Sequence, residues 1–259
     1  MEDRIIMPDI YKNRFRTLKD IFSNKYELEY FPAPGNDKKH FALILPGGGY
    51  TCVMSSIEGT PYAKVLNDKG YHAFVMRYNT REKGRYPIPQ SQVAKAISEI
   101  INNADKYNVI TDGYSIWGSS AGGHLAASFG TTNMGYSNYN VPKPGALILV
   151  YPVVTMGSLT HVGSRDNLLG PSSDKSLIDM ASIENQITPD YPPSFLWNSL
   201  EDETVNPRNS QLLDEALTKA GVKHLYVQYK TGKHGCGLGI GLEPEGWIDK
   251  AIAFWEEQF

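Results

Sequence analysis

Between Tyr114 and Ala127 an apolar run, Tyr114-Ser115-Ile116-Trp117, enters Gly118-Ser119-Ser120-Ala121-Gly122-Gly123 and leaves as a helical pattern through His124, Leu125, Ala126 and Ala127. No other stretch restricts the fold so much, because a strand can turn into a helix over so few residues only where the turn is built from small side chains. Such a strand–turn–helix unit puts Ser120 at the tip of the turn, with Gly118 and Gly122 two residues to either side. Its hydroxyl is expected to be exposed beside a helix N-terminus, which favours developing negative charge. Ser119 is the rival nucleophile, but it breaks the glycine spacing. A bare Gly-x-Ser-x-Gly match is weak in a chain with 24 glycines. The flanking strand and helix carry the reading, against a tight turn that merely packs a helix on a sheet.

The rest of the chain repeats that unit. Short apolar runs predict core strands at Phe41–Leu45, Ala73–Tyr78, Tyr114–Trp117, Ala146–Tyr151, Phe195–Trp197 and Leu225–Tyr229. Helical spacing falls between and after them, at Pro61–Lys69, Gln90–Lys106, Ala121–Phe129, Asn209–Ala220 and Trp247–Glu257. Strand then helix, repeated, predicts a mostly parallel sheet covered on both faces. The stretch up to about Pro34, including Tyr26–Phe31, is expected to add one or two antiparallel edge strands. Residues 153–192 lack periodicity and are too long for a bare loop, so short helices forming a lid or pocket wall are expected there. Residues 1–259 are read as one domain carrying that insertion.

Composition narrows the function. The chain is 41% apolar and 20% charged, with a formal charge of −3 and no basic block, which argues against nucleic acid and lipid surfaces as partners. The N-terminus, Met1 to Pro8, lacks the apolar stretch and cleavage site of a secretory leader, and no run reaches transmembrane length; a cytoplasmic location is the expectation. Two cysteines, Cys52 and Cys236, make neither a disulfide framework nor a zinc site. They read as reduced thiols, with a redox-sensitive pair beside the site as the alternative.

A nucleophilic serine needs a base, and the base needs an orienting acid; after a serine turn of this kind they follow in the order acid, then histidine. His40 and His72 precede Ser120, His124 is tied to the helix after it and suits packing, His161 lies in the irregular segment, and His224 opens a strand. His234, in a glycine-flanked loop after the last strand, remains as the base. The acid is expected after the preceding strand, where Glu201, Asp202 and Glu203 lie in a row; Asp202 is chosen, with Glu201 next. Oxyanion donors are expected from the amide of Ala121 and from the glycine loop Pro46-Gly47-Gly48-Gly49-Tyr50. No Gly-Lys-Ser/Thr ending or dinucleotide fingerprint supports a phosphate loop there. Tyr50, Trp117 and Tyr191 are aromatic candidates for a pocket, Trp117 fitting the core better.

The glycine loop with Glu58 downstream, Arg85-Tyr86-Pro87 before a long helix, Gly118 to Ala127, Gly163 to Gly170 and Asp202 to Ser210 together resemble the small carbohydrate-esterase and acetylxylan-esterase-like α/β hydrolases, relatives of the hormone-sensitive-lipase-like esterases. The resemblance runs from about Phe41 to His234. It implies an α/β-hydrolase fold and an esterase that removes short acyl groups, often acetyl, from sugar hydroxyls, with no metal or organic cofactor. Its expected partner is a small ester, such as an acetylated oligosaccharide. By position it assigns Ser120 as nucleophile, Asp202 as acid, His234 as base and Gly48, Gly49 and Ala121 as oxyanion donors, with Arg165 to Gly170 forming part of the pocket; Tyr50, Tyr191 and Arg165 are the substrate-contact candidates. Two positions depart from the pattern: Pro46 stands where the lipase-like enzymes carry histidine, and Asn206 separates Val205 from Pro207. A peptidase or amidase using the same three residues, and a non-catalytic ligand-binding relative, are the alternatives.

Overall fold

The computed structural model describes residues 25–259. Within them β1 (Glu27–Phe31), β2 (Lys39–Leu45), β3 (His72–Arg77), β4 (Val109–Ser119), β5 (Ala146–Val150), β6 (Ser194–Ser199) and β7 (His224–Tyr229) form one sheet in the order β1-β3-β2-β4-β5-β6-β7. Every neighbouring pair is parallel except β1 with β3, which is antiparallel. One antiparallel edge strand is therefore present at Glu27–Phe31; a second before it, and the reading of Met1 to Pro8, lie outside the described residues.

The period-two alternation of side chains builds two cores. On one face Phe41, Leu43, Leu45, Phe74, Ile116, Leu147 and Leu149 pack under α2 (Ile88–Asn102), α3 (Ser120–Phe129) and α6 (Arg208–Ala220). On the other, Ala42, Ile44, Val75, Trp117, Ile148 and Trp197 meet α1 (Thr60–Asp68) and α7 (Trp247–Glu256). Each large apolar side chain so enclosed contributes about 1.5–3 kcal/mol relative to exposure. This two-sided parallel sheet is the α/β-hydrolase arrangement.

Most boundaries fall within a residue or two of the expected ones. The exceptions have local causes. The helix expected over Gln90–Lys106 stops at Asn102, because the Asn103 side chain donates to the Glu99 carbonyl at 2.7 Å and leaves helical geometry; a separate turn follows at Ala104–Tyr107. The strand expected at Tyr114–Trp117 starts earlier, at Val109, and its polar first half pairs with β2 across a register shift. Residues 153–192 hold α4 (Val162–Leu169), α5 (Lys175–Ala181) and a short 3-10 turn. Much of this segment packs into the core through Val153, Val154, Met156, Leu168, Leu177, Ala181 and Ile183, so only part of it faces a cavity.

The carboxyl ends of β2, β4, β6 and β7 all open on the same edge, each into a loop that carries an expected site residue. That is where open parallel sheets place ligands, since the crossovers return from it.

Candidate active site

The turn after β4 carries Ser120 at φ +54°, a left-handed conformation that costs a non-glycine residue about 1–2 kcal/mol. The two flanking glycines make the turn possible. A Cβ at Gly122 would collide with the Leu45 carbonyl of β2, and one at Gly118 with the Gly122 carbonyl. The hydroxyls of the two adjacent serines separate as β4 ends: Ser119 Oγ lies 3.2 Å from the Tyr62 hydroxyl of α1, beneath the sheet edge, whereas Ser120 opens into a cavity of about 340 Å³.

Ser120 Oγ lies 2.8 Å from His234 Nε2, and His234 Nδ1 lies 2.6 Å from Asp202 Oδ2. The other Asp202 oxygen accepts the amides of Thr204 and Val205, both at 2.9 Å, so the buried carboxylate is fixed before it meets the imidazole. An ionised acid on Nδ1 keeps the proton on that nitrogen and leaves Nε2 free to accept from Ser120. The neighbouring carboxylates do other things. Glu201 Oε2 accepts the Gly232 amide at 3.3 Å and braces the loop of His234, while Glu203 is exposed and lines a separate shallow depression.

Gly48 and Gly49 line the cavity with φ of +127° and +63°, and the fully buried Ala121 follows Ser120 directly. Gly47 is committed elsewhere, its amide donating to Glu58 Oε2 at 2.7 Å. Glu58 is buried, and its second oxygen accepts the Tyr151 hydroxyl at 2.7 Å. That hydroxyl accepts the Gly237 amide at 3.2 Å, and the Tyr151 ring lies 4.8 Å from the His234 ring. One carboxylate thus ties the glycine loop to the loop of the imidazole. Burial raises its pKa above the ordinary carboxyl range, opposed by its bonds to Tyr151 and Gly47.

The substrate-contact residues expected from sequence do not gather here. Tyr50 is wholly buried and bonds His124 Nδ1 at 3.0 Å; His124 Nε2 in turn reaches the Ala181 carbonyl at 2.9 Å. This chain joins the glycine loop, α3 and α5, and burial lowers the His124 pKa to about 4. Tyr191 is also buried, donating to the Ala127 carbonyl at 2.8 Å under α3. Arg165 turns to Asp166, 3.1 Å away, and Trp117 is core. The walls are instead Thr51, Met54, Ile57, His161 and Thr204. His161, passed over in the sequence, bonds Ser164 Oγ at 2.8 Å, and burial followed by the nearby His234 lowers its pKa. Cys52 is exposed and Cys236 half-buried; both are free thiols, and burial pushes Cys236 up to about 11. Among the described residues no cluster of three His, Cys, Asp or Glu is placed to hold a metal ion, and no helix is long and apolar enough to cross a membrane.

The BD-FAE family model matches residues 29–217. The chain belongs to the BD-FAE family. Endo-1,4-beta-xylanase B of Butyrivibrio fibrisolvens is 31% identical over 258 residues, which cover 93% of this BD-FAE chain and 40% of that relative. Acetylxylan esterase of Xylanibacter ruminicola is 30% identical over 227 residues, 86% of this chain and 46% of that one. The chain therefore spans less than half the length of these two relatives. Among solved structures, the acetyl ester-xyloside bifunctional hydrolase from Caldicellulosiruptor lactoaceticus aligns at a TM-score of 0.84 with 28% identity, covering 94% of both chains. The resemblance to carbohydrate-esterase α/β hydrolases drawn from the motifs agrees with these matches.

Proposed function

We propose that this BD-FAE member is a serine carboxylesterase that removes short acyl groups, acetyl above all, from carbohydrate hydroxyls. The observation that carries the reading is the unbroken chain from Ser120 Oγ through His234 to a buried Asp202. His234 takes the Ser120 proton as the hydroxyl attacks the ester carbonyl. The amides of Gly48, Gly49 and Ala121 are the donors for the resulting oxyanion. Collapse of this intermediate expels the sugar alcohol, which receives the proton from His234, and water drawn by the same imidazole then releases the acid and restores Ser120.

A small acyl group is supported by the cavity, whose volume is at the low end for ligand sites and whose apolar wall is Met54 and Ile57. A carbohydrate alcohol is supported by the relatives named as xylan-active enzymes. Ser120→Ala should lower turnover of p-nitrophenyl acetate by roughly 10⁴-fold or more while leaving the melting temperature within a few degrees. Retained turnover in a folded variant would remove Ser120 from the reaction. Across p-nitrophenyl esters, kcat/KM should fall as the acyl chain lengthens beyond what the cavity admits.

A further inference from the structure

Beside the cavity of Ser120 lies a larger cleft of about 680 Å³. The two adjoin at Thr51, which lines both, and Asn167 braces the shared wall by donating to the Gly49 carbonyl at 2.9 Å and to Thr51 Oγ1 at 2.7 Å. Arg81, Lys83 and Arg85 line the cleft, all exposed and none in an ion pair among the described residues. Against them stand Glu82 and Asp166, the latter 3.1 Å from Arg165. The cleft is therefore cationic on a chain whose formal charge is −3.

The cations sit on an anchored loop. Arg81 has φ +56°, its amide donates to the Tyr50 carbonyl at 2.8 Å and its Nε to the Thr51 carbonyl at 3.0 Å. Neither terminal nitrogen of its guanidinium meets a partner among the described residues, so both remain for a ligand. At the other end the Tyr86 amide donates to the Leu168 carbonyl at 2.9 Å, and the Arg85 guanidinium lies over Gly170 after α4. A strained non-glycine residue held by two bonds, presenting an unspent planar fork, is the kind of outlier that marks a binding surface.

We propose that this cleft is a subsite for a carboxylate on the carbohydrate part of the substrate, so that the enzyme prefers acetylated oligosaccharides bearing an acidic sugar. The inference rests on the carbohydrate-esterase reading. A planar carboxylate suits the Arg81 fork, with Lys83 and Arg85 adding attraction that salt screens. The distance from Ser120 is bridged by the saccharide itself, which enters over Thr51 with its ester directed at the smaller cavity.

The test compares acetylated xylo-oligosaccharides with and without a glucuronic acid branch, on the wild-type protein and on the double variant Lys83→Gln/Arg85→Gln, neither of which touches the reacting groups. The acidic substrate should show a KM lower by roughly threefold to tenfold, a preference that shrinks with added salt and is reduced but not abolished in the variant, which keeps Arg81. Hydrolysis of p-nitrophenyl acetate should be unchanged in both proteins. Equal KM values for acidic and neutral substrates, or a preference untouched by the substitutions, would overturn the proposal. If acetylated sugars are not hydrolysed while p-nitrophenyl acetate is, the carbohydrate reading falls. Calorimetric titration with the unacetylated, glucuronic acid-branched oligosaccharide then decides the cleft: binding weakened in the variant supports it, and no binding in the wild type, or equal binding in both proteins, refutes it.

Discussion

The two adjoining cavities meet at Thr51 and differ in how their polar groups are held. Around the smaller one the groups that hold the site are buried and already bonded: Asp202 to two amides and His234, Glu58 to Gly47 and Tyr151, and beneath the cavity His124 to Tyr50 and the Ala181 carbonyl. In the larger one Arg81, Lys83 and Arg85 stand in solvent. A buried, bonded group is preorganised, and removing it leaves a partner unsatisfied; an exposed charge is screened and contributes little. Reacting groups and surface charges that stand on separate but adjoining loops can be perturbed separately.

The comparison breaks most visibly at Asp202. Asp202→Asn keeps the shape but offers His234 the wrong hydrogen-bond partner. Turnover should fall roughly 10³- to 10⁴-fold with KM little altered, measured by steady-state kinetics on p-nitrophenyl acetate. A loss below tenfold would mean that the imidazole is oriented by something else.

Next comes the support beneath the site. His124 has its pKa lowered from 6.5 to about 4 by burial, so its contribution to stability is fully present above the unfolded value and is lost as pH falls from 6.5 through about 4. That contribution is about 3 kcal/mol. Denaturant midpoints followed down this window should show the loss, and His124→Asn should be less stable at neutral pH yet flatter by one proton. An unchanged slope would place the proton elsewhere.

A smaller effect is expected at Glu58. Glu58→Gln keeps an oxygen for one partner and loses the acceptor for the other, so kcat should drop roughly 10- to 100-fold, less than for loss of an oxyanion donor in the worst case. Its raised pKa has the opposite linkage to that of His124. The stability it contributes is fully present below the free carboxyl value of 4.5 and is lost as pH rises through the raised value. The melting-temperature gap between Glu58→Gln and the wild type should therefore move in favour of the variant as pH rises above 4.5, since the variant has no carboxyl to ionise there. The Lys83→Gln/Arg85→Gln variant closes the series, with a few-fold change confined to acidic substrates.

How much of this was legible differs from residue to residue. Ser120, Asp202 and His234 could be picked out because each sits just after an apolar strand, and strand ends in a parallel sheet converge on one edge. The glycine loop was legible for the same reason. Tyr50 and Tyr191 misled because an aromatic residue near a site motif looks the same in sequence whether it turns to the cavity or into the core; their hydroxyls found His124 and the Ala127 carbonyl instead. Arg165 misled through its neighbour Asp166. Glu58 stood in the motif without a role, since its two partners are 11 and 93 residues away.

By itself, then, the sequence determined the order of strands and helices along the chain, the serine turn and the two groups, His234 and Asp202, in line with it, because these follow from local pattern and from the geometry of a parallel sheet. Only the tertiary structure decided what surrounds them. That Glu58 ties two loops together, that His161 rather than Tyr50 faces the cavity, and that three cations gather beside Thr51 all depend on side chains distant in sequence meeting in space. No periodicity records those meetings, because they arise from packing and hydrogen bonding after the chain has closed.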